Sequence, residues 1–266
     1  MMNKESLLAQ FDEAQRINIE YPATRKEVRP HVIRSISESG GPHFILYSRL
    51  EGADIEAVIA EEQAYFSQIG EVEWKVYGHD RPWDLRQRLA ARGFEVGEAE
   101  AVMILDLGGA AVRGQAWQAD LRATSRPGQV TLRRLDRPSQ LKDVQRIEEL
   151  VWQEKMAWIE KNLADAMAIP GFLSAYVAYV DEEPACAGWV NFHANGIFAD
   201  LWGGSTVPAH RGRGLYTAVL YARLKEAADR GYRFVTTDAS PMSRPILARH
   251  GFELLTMTWP CKWRPG

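Results

Sequence analysis

Arg211 and Arg213 alternate with Gly212 and Gly214 in the run VPAHRGRGLYTA, residues 207–218. An apolar, strand-like stretch at 197–207 leads into the run, and a helical period at 215–228 leaves it. Pro208 ends the strand, because it has no amide to give a ladder. A strand, a glycine turn and a helix N-terminus together form an anion cradle. The first-turn amides have no intrahelical acceptor, and the helix dipole adds to their field. Arg211 and Arg213 add guanidinium groups able to clamp a phosphate through paired hydrogen bonds. The third glycine of a dinucleotide fingerprint is absent, and no Gly-Lys-Ser/Thr of a P-loop follows.

The run resembles the acyl-coenzyme A pyrophosphate loop of the GNAT acyltransferase superfamily: Arg or Gln, two residues, Gly, one residue, then Gly or Ala. Arg211 takes the first place and Gly214 the fourth. Tyr216 stands where a small residue is usual, so its ring must turn away from the diphosphate or the loop must be wider. The resemblance implies acetyl-coenzyme A as cosubstrate. Its pantetheine arm would add like a strand beside the chain near Val207. Its diphosphate would rest on the amides from Gly212 through Arg213, Gly214 and Tyr216 to Thr217. A backbone N–H in the splayed strand would stabilise the thioester oxygen as charge develops there. Gly203 and Gly204 mark a bulge or a close approach of substrate. Ser240 occupies a position where the family often has an Asn touching the cofactor. Leu247 replaces the Tyr that commonly protonates the leaving thiolate, which leaves Ser243 as a polar alternative. A thiol of pKa about 8.5 also leaves without an acid.

An attacking amine must lose a proton near neutral pH. Asp200, His193 and His210 are the candidates nearest the loop in sequence. Asp200 alternates with Leu201 and so faces the other side of its strand. His193 ends a strand before the turn-like Ala194-Asn195-Gly196, and His210 lies within the loop. Trp158 and Phe198 are candidates for the wall of an acceptor groove. The function that follows is transfer of an acetyl or other acyl group to a primary amine of a small molecule or peptide, by direct attack on the thioester. Two other classes stay open: a regulatory module that holds coenzyme A without transferring the acyl group, and an interaction protein whose first half docks a partner.

The whole chain sets bounds on these readings. A length of 266 residues admits one large domain or two ordinary ones. With 46% hydrophobic and 25% charged residues it is globular rather than disordered. A net charge of -3 gives no reason to expect nucleic acid as a partner. The two cysteines, Cys186 and Cys261, form neither a ligand cluster nor a disulfide framework. No His-Glu-x-x-His or paired-Cys motif occurs, so no metal is expected. No stretch is long and apolar enough for a membrane span, and the first residues do not read as a secretory signal. The expectation is a cytoplasmic monomer or homodimer.

Periodicity gives helices at 4–17, 54–68, 82–92, 139–151, 158–167, 215–230 and 241–250. Strands are expected at 44–50, 73–77, 101–107, 130–135, 172–180, 185–192, 197–207, 234–237 and 252–259, with 21–30 extended or irregular. Residues 81–94, RPWDLRQRLAARGF, and 244–252, RPILARHGF, share an ending, each set between two strands. This internal repeat and the order of elements predict an α/β mixed-sheet sandwich resembling two tandem GNAT domains. The expected division is a reduced domain without an anion loop at 1–110, a Gly- and Pro-containing join at 111–129, and a complete domain at 130–266.

Overall fold

The computed structural model describes residues 3–109, 128–194 and 196–266. The expected join falls almost wholly on residues 110–127, which lie outside the described residues. In chain order the elements are α1 (Lys4–Asp12), β1 (Thr24–Val28), β2 (Val32–Ser37), β3 (His43–Ser48), α2 (Ile55–Phe66), β4 (Val72–Tyr77), α3 (Leu85–Ala91), β5 (Glu95–Val96) and β6 (Glu100–Asp106). They continue as β7 (Val130–Arg134), α4 (Leu141–Trp152), α5 (Trp158–Met167), β8 (Leu173–Val180), β9 (Glu183–Phe192), β10 (Phe198–Thr206), α6 (Leu215–Asp229), β11 (Phe234–Ala239), α7 (Arg244–Arg249) and β12 (Glu253–Trp263). Two compact units result: Met1–Ile104 together with Asp238–Gly266, and Leu105–Thr237.

In the first unit the strands run in the order β1-β2-β3-β4-β12-β6. β3 and β4 are parallel, while β12 is antiparallel to both β4 and β6. Trp74 of β4 is fully buried in a core with Ile59 and Phe66 of α2, Leu85 and Leu89 of α3, and Cys261 of β12. The helical stripe expected at 54–68 forms, and Asp54 caps it by accepting from the Ala57 amide. Glu62 on that stripe is buried because Arg34 of β2 meets it with two hydrogen bonds of 2.7 Å. The expected helix at 4–17 keeps its α form only to Asp12 and continues as a π-helical turn, Glu13–Ile17.

In the second unit the order is β11-β10-β9-β8-β7, antiparallel except for the parallel pair β10–β11. Alternation along β8 separates its two faces. The Tyr176 hydroxyl reaches Glu226 of α6, and the Tyr179 hydroxyl reaches Asp143 of α4, each at 2.7 Å. Helices α6 and α4 therefore cover opposite sides of this sheet. Leu215 and Val219 pack one side, while Leu141, Val144 and Ile147 give α4 its buried stripe.

Candidate functional site

The ladder between β10 and β11 pairs Phe198, Ala199 and Asp200 with Phe234, Val235 and Thr236. On its other edge β10 stays paired with β9 as far as Thr206. The edge facing β11 is thus released from strand pairing after Asp200, and within that stretch the register shifts between Gly203 and Ser205. Gly203 and Gly204 have φ of +67° and +89°, a left-handed pair that side chains disfavour. A Cβ on Gly203 would stand 2.6 Å from the Trp189 ring, and one on Gly204 would stand 3.0 Å from the Tyr216 ring. The expected bulge is present, and sterics require glycine at both of its positions.

After Val207 the chain makes a 3-10 turn, Pro208–His210, and a glycine turn before α6. Gly212 and Gly214 have φ of +72° and +74°, and among the described residues a Cβ at either would meet nothing within 4 Å. Among the described residues no side chain caps α6, so the amides of its first turn keep their donors directed at the turn. Arg211 is exposed, and its Nε donates to the Thr206 carbonyl at 3.2 Å. Arg213 is buried, with its guanidinium beside His210 and Gly128, so the two arginines are not presented side by side. The Tyr216 ring lies against Gly204 and the apolar cluster of β8 and β9, clear of the turn, while Thr217 is half-buried one position on. The Val207 amide donates to Ala185 at 2.9 Å and its carbonyl accepts from His210 at 2.8 Å. A chain adding to β10 would consequently pair with residues before Val207.

The structure joins two of the candidates for proton transfer. Asp200, buried on β10, accepts from the Asn191 amide at 2.8 Å, from His193 Nε2 at 2.5 Å and from the Trp202 indole. Burial opposes charge on the His193 imidazole, but the Asp200 carboxylate outweighs it and holds the pKa above the ordinary 6.5. Ser240 and Ser243 lie between β11 and α7 with their hydroxyls 3.2 Å apart, in the compact unit that does not contain the glycine turn. Leu247 is buried. Phe198 stacks on Phe234 in the interior and cannot line a groove, whereas Trp158 is half-buried on α5. Among the described residues no three His, Cys, Asp or Glu side chains are grouped to hold a metal ion.

A splayed strand, a bulge and an uncapped helix behind a glycine turn form one continuous track. Comparison with protein families matches residues 138–252 to the acetyltransferase (GNAT) family. These residues are a GNAT domain. Solved structures extend the likeness of fold to the rest of the chain. A GCN5-related N-acetyltransferase from Kribbella flavida superposes with a TM-score of 0.61 at 14% identity, covering 99% of this chain and 94% of that one. A tandem GNAT protein from the clavulanic acid biosynthesis pathway gives 0.56 at 18% identity, covering 96% and 88%. A GCN5-related N-acetyltransferase from Sphaerobacter thermophilus gives 0.58 at 12% identity, covering 98% and 85%. The comparison with curated proteins gives no match. No helix among the described residues is long and apolar enough to cross a membrane.

Two charged residues of the GNAT domain escaped the sequence reading. Glu148 of α4 is buried and accepts from Ser205 at 2.8 Å and from the Trp152 indole at 2.9 Å, both on Oε2. Arg223 of α6 reaches the carbonyls of Trp189 and Trp202 at 3.2 and 3.1 Å, and a Cβ on Gly188 would stand 2.8 Å from its guanidinium. Each had a signal. Glu148 falls four residues after Val144 and seven after Leu141, on an apolar stripe, and Arg223 falls four after Val219. A charge on an apolar stripe implies a buried partner.

Proposed function

We propose that the chain is an acetyl-coenzyme A-dependent N-acetyltransferase that acylates a primary amine of a small molecule or peptide. The observation that carries this reading is the release of β10 from β11 after Asp200, just ahead of a glycine bulge and an open glycine turn at an uncapped helix. The released edge offers main-chain groups to a pantetheine arm as a strand would. The turn fits a diphosphate: the spaces beside Gly212 and Gly214 are open, and the amides of the first turn of α6, through Tyr216 to Thr217, supply donors. Arg211 approaches from solvent, while buried Arg213 contributes its backbone rather than its guanidinium. Ser240 enters only through the likeness of its position to that of the family's Asn, and Ser243 only as a polar side chain near it that could act as acid in place of the missing Tyr.

When bound, the thioester supplies the activated acyl group. Amides at the bulge would stabilise its oxygen as negative charge develops. Asp200 already accepts three hydrogen bonds, which suits it to orient His193 and the rim of the acceptor site rather than to take a proton. Calorimetric titration with acetyl-coenzyme A, followed by thiol release with primary amines, tests the reading. Saturable binding with amine-dependent release supports it, and a folded protein giving no heat at millimolar ligand refutes it. Buried Leu247, where the family commonly places its acid, favours a second reading of binding without transfer. Saturable binding with no thiol release would establish that one.

A further inference from the structure

Glu148 has one carboxylate oxygen whose chemistry is unaccounted for. Ser205 and Trp152 both donate to Oε2, whereas Oε1 is buried and has no hydrogen-bond partner among the described residues. The residue is only 4% exposed. A buried carboxylate oxygen without a donor is costly, and such atoms persist where a ligand supplies what is missing. Its position is specific: Oε1 lies 3.2 Å from where a Cβ on Gly203 would stand, at the bulge of β10.

The neighbours on this face follow from register and alternation. Gly188 faces Arg223 of α6, so Trp189 and Asn191 face α4. Trp202 and Asp200 are their partners across the β9–β10 ladder and share that face. Glu148 therefore projects from α4 toward a row of Asp200, Trp202 and the bulge. Trp152 covers Oε2 through its indole N–H, yet the residue as a whole is 60% exposed, which leaves room for the cover to swing outward.

Resting on the acyl-transfer reading above, we propose that Glu148 receives the amino group of the acceptor and takes its proton. An ammonium N–H donates to Oε1, and that proton passes to the carboxylate. The freed nitrogen lone pair forms the new C–N bond at the thioester carbonyl carbon, and the C–S bond breaks. Sulfur leaves with the electron pair as a thiolate and takes up the second proton that the nitrogen sheds on becoming an amide, while Glu148 returns its own proton to solvent. The acceptor class is a primary amine that is cationic in solution, because a buried anion favours a ligand that arrives charged and leaves its proton behind. Burial raises the pKa of Glu148, and Ser205, Trp152 and Arg223 pull it back in part. Among the described residues, the titratable side chains that act on it electrostatically are Arg223 of α6 and Cys186 of β9.

The test uses the full chain with acetyl-coenzyme A and four amines: spermidine, tyramine, ethanolamine and a lysine-containing peptide. Glu148→Gln keeps an oxygen for Ser205 and Trp152 and removes the base. It should leave the affinity for acetyl-coenzyme A unchanged and lower kcat by about 10²–10⁴-fold. Trp152→Phe keeps the base but removes a donor that stabilises its anion. It should move the acid limb of the pH–rate profile to higher pH, a shift that a packing role would not produce. Turnover by Glu148→Gln at the wild-type rate overturns the assignment. So does a wild type that binds acetyl-coenzyme A but releases no thiol with any of the four amines. A wild type that fails to bind acetyl-coenzyme A identifies the failure as that of the acyl-transfer reading, and the role of Glu148 falls with it.

Discussion

Gly203→Ala probes the bulge on which the site depends, and its cost follows from two separable terms. The φ of +67° is left-handed, which costs an L-residue about 1–2 kcal/mol. The new methyl would stand 2.6 and 2.9 Å from two carbons of the Trp189 ring and 3.2 Å from Glu148 Oε1. Trp189 is on β9, paired with Ala175 of β8 and Trp202 of β10, so its backbone is held by the sheet and only its half-buried ring can yield. Overpacking of this kind costs about 1–3 kcal/mol. The sum is about 2–5 kcal/mol. Gly212→Ala is the matched control: its φ of +72° is equally left-handed, but among the described residues a Cβ there meets nothing within 4 Å. It should cost about 1–2 kcal/mol. Urea unfolding of both variants, followed by tryptophan fluorescence, measures the difference. If Gly203→Ala unfolds at the same urea concentration as Gly212→Ala, the bulge does not press on Trp189 and the steric argument fails.

Two further outcomes follow from the same structure. The His193 pKa, read by NMR, should lie above 6.5 in the wild type and fall below it in Asp200→Asn, where burial acts without the opposing carboxylate. Because the folded pKa is raised, the pair's contribution to stability is full below pH 6.5 and is lost as pH rises through the folded value; a pKa unmoved by the substitution would refute the pairing. A fragment of residues 130–266 keeps β12 but lacks β4, β5 and β6, with which β12 pairs, so fully buried Cys261 and nearly buried Leu255 lose their cover. It should aggregate, and a soluble monomeric fragment with full activity would contradict the pairing of β12.

The glycine turn and the strands leading to it were legible because local rules set them: Pro208 stops a strand, and glycines accept a left-handed turn. The stripes of α2 and α4 were legible for the same reason. The β1–β2 hairpin was not foreseen as a strand pair. β1 reads TRKEV, three charges in five residues on an edge strand, and β2 carries Arg34 in its centre. Glu62, 28 residues on, and Glu27 of the neighbouring strand pair with Arg34, and the Tyr65 ring covers its guanidinium, which together explain its burial. The placement of β12 was also beyond a local reading, since register with β4 and β6 is a long-range choice that its own residues do not announce. At the site, Asp200 and His193 were legible as types and positions, but their union required the fold. Glu148 was not legible as a site residue because it sits among the apolar residues of the buried stripe of α4, beside Ile147 and one turn on from Val144.

On the proposed function the turn from Arg211 to Thr217 would hold the diphosphate of acetyl-coenzyme A, and Gly214→Asp tests this most directly. Among the described residues nothing lies within 4 Å of a Cβ at Gly214, and Asp tolerates the left-handed φ of +74°, so the fold should survive. The added carboxylate would repel a phosphate about 4 Å away by about 4 kcal/mol, roughly a thousandfold in affinity. Calorimetric titration should show no saturable binding by Gly214→Asp at concentrations that saturate the wild type, with the two unfolding curves close together. Equal affinity for acetyl-coenzyme A in a folded Gly214→Asp would place the diphosphate elsewhere and contradict the account.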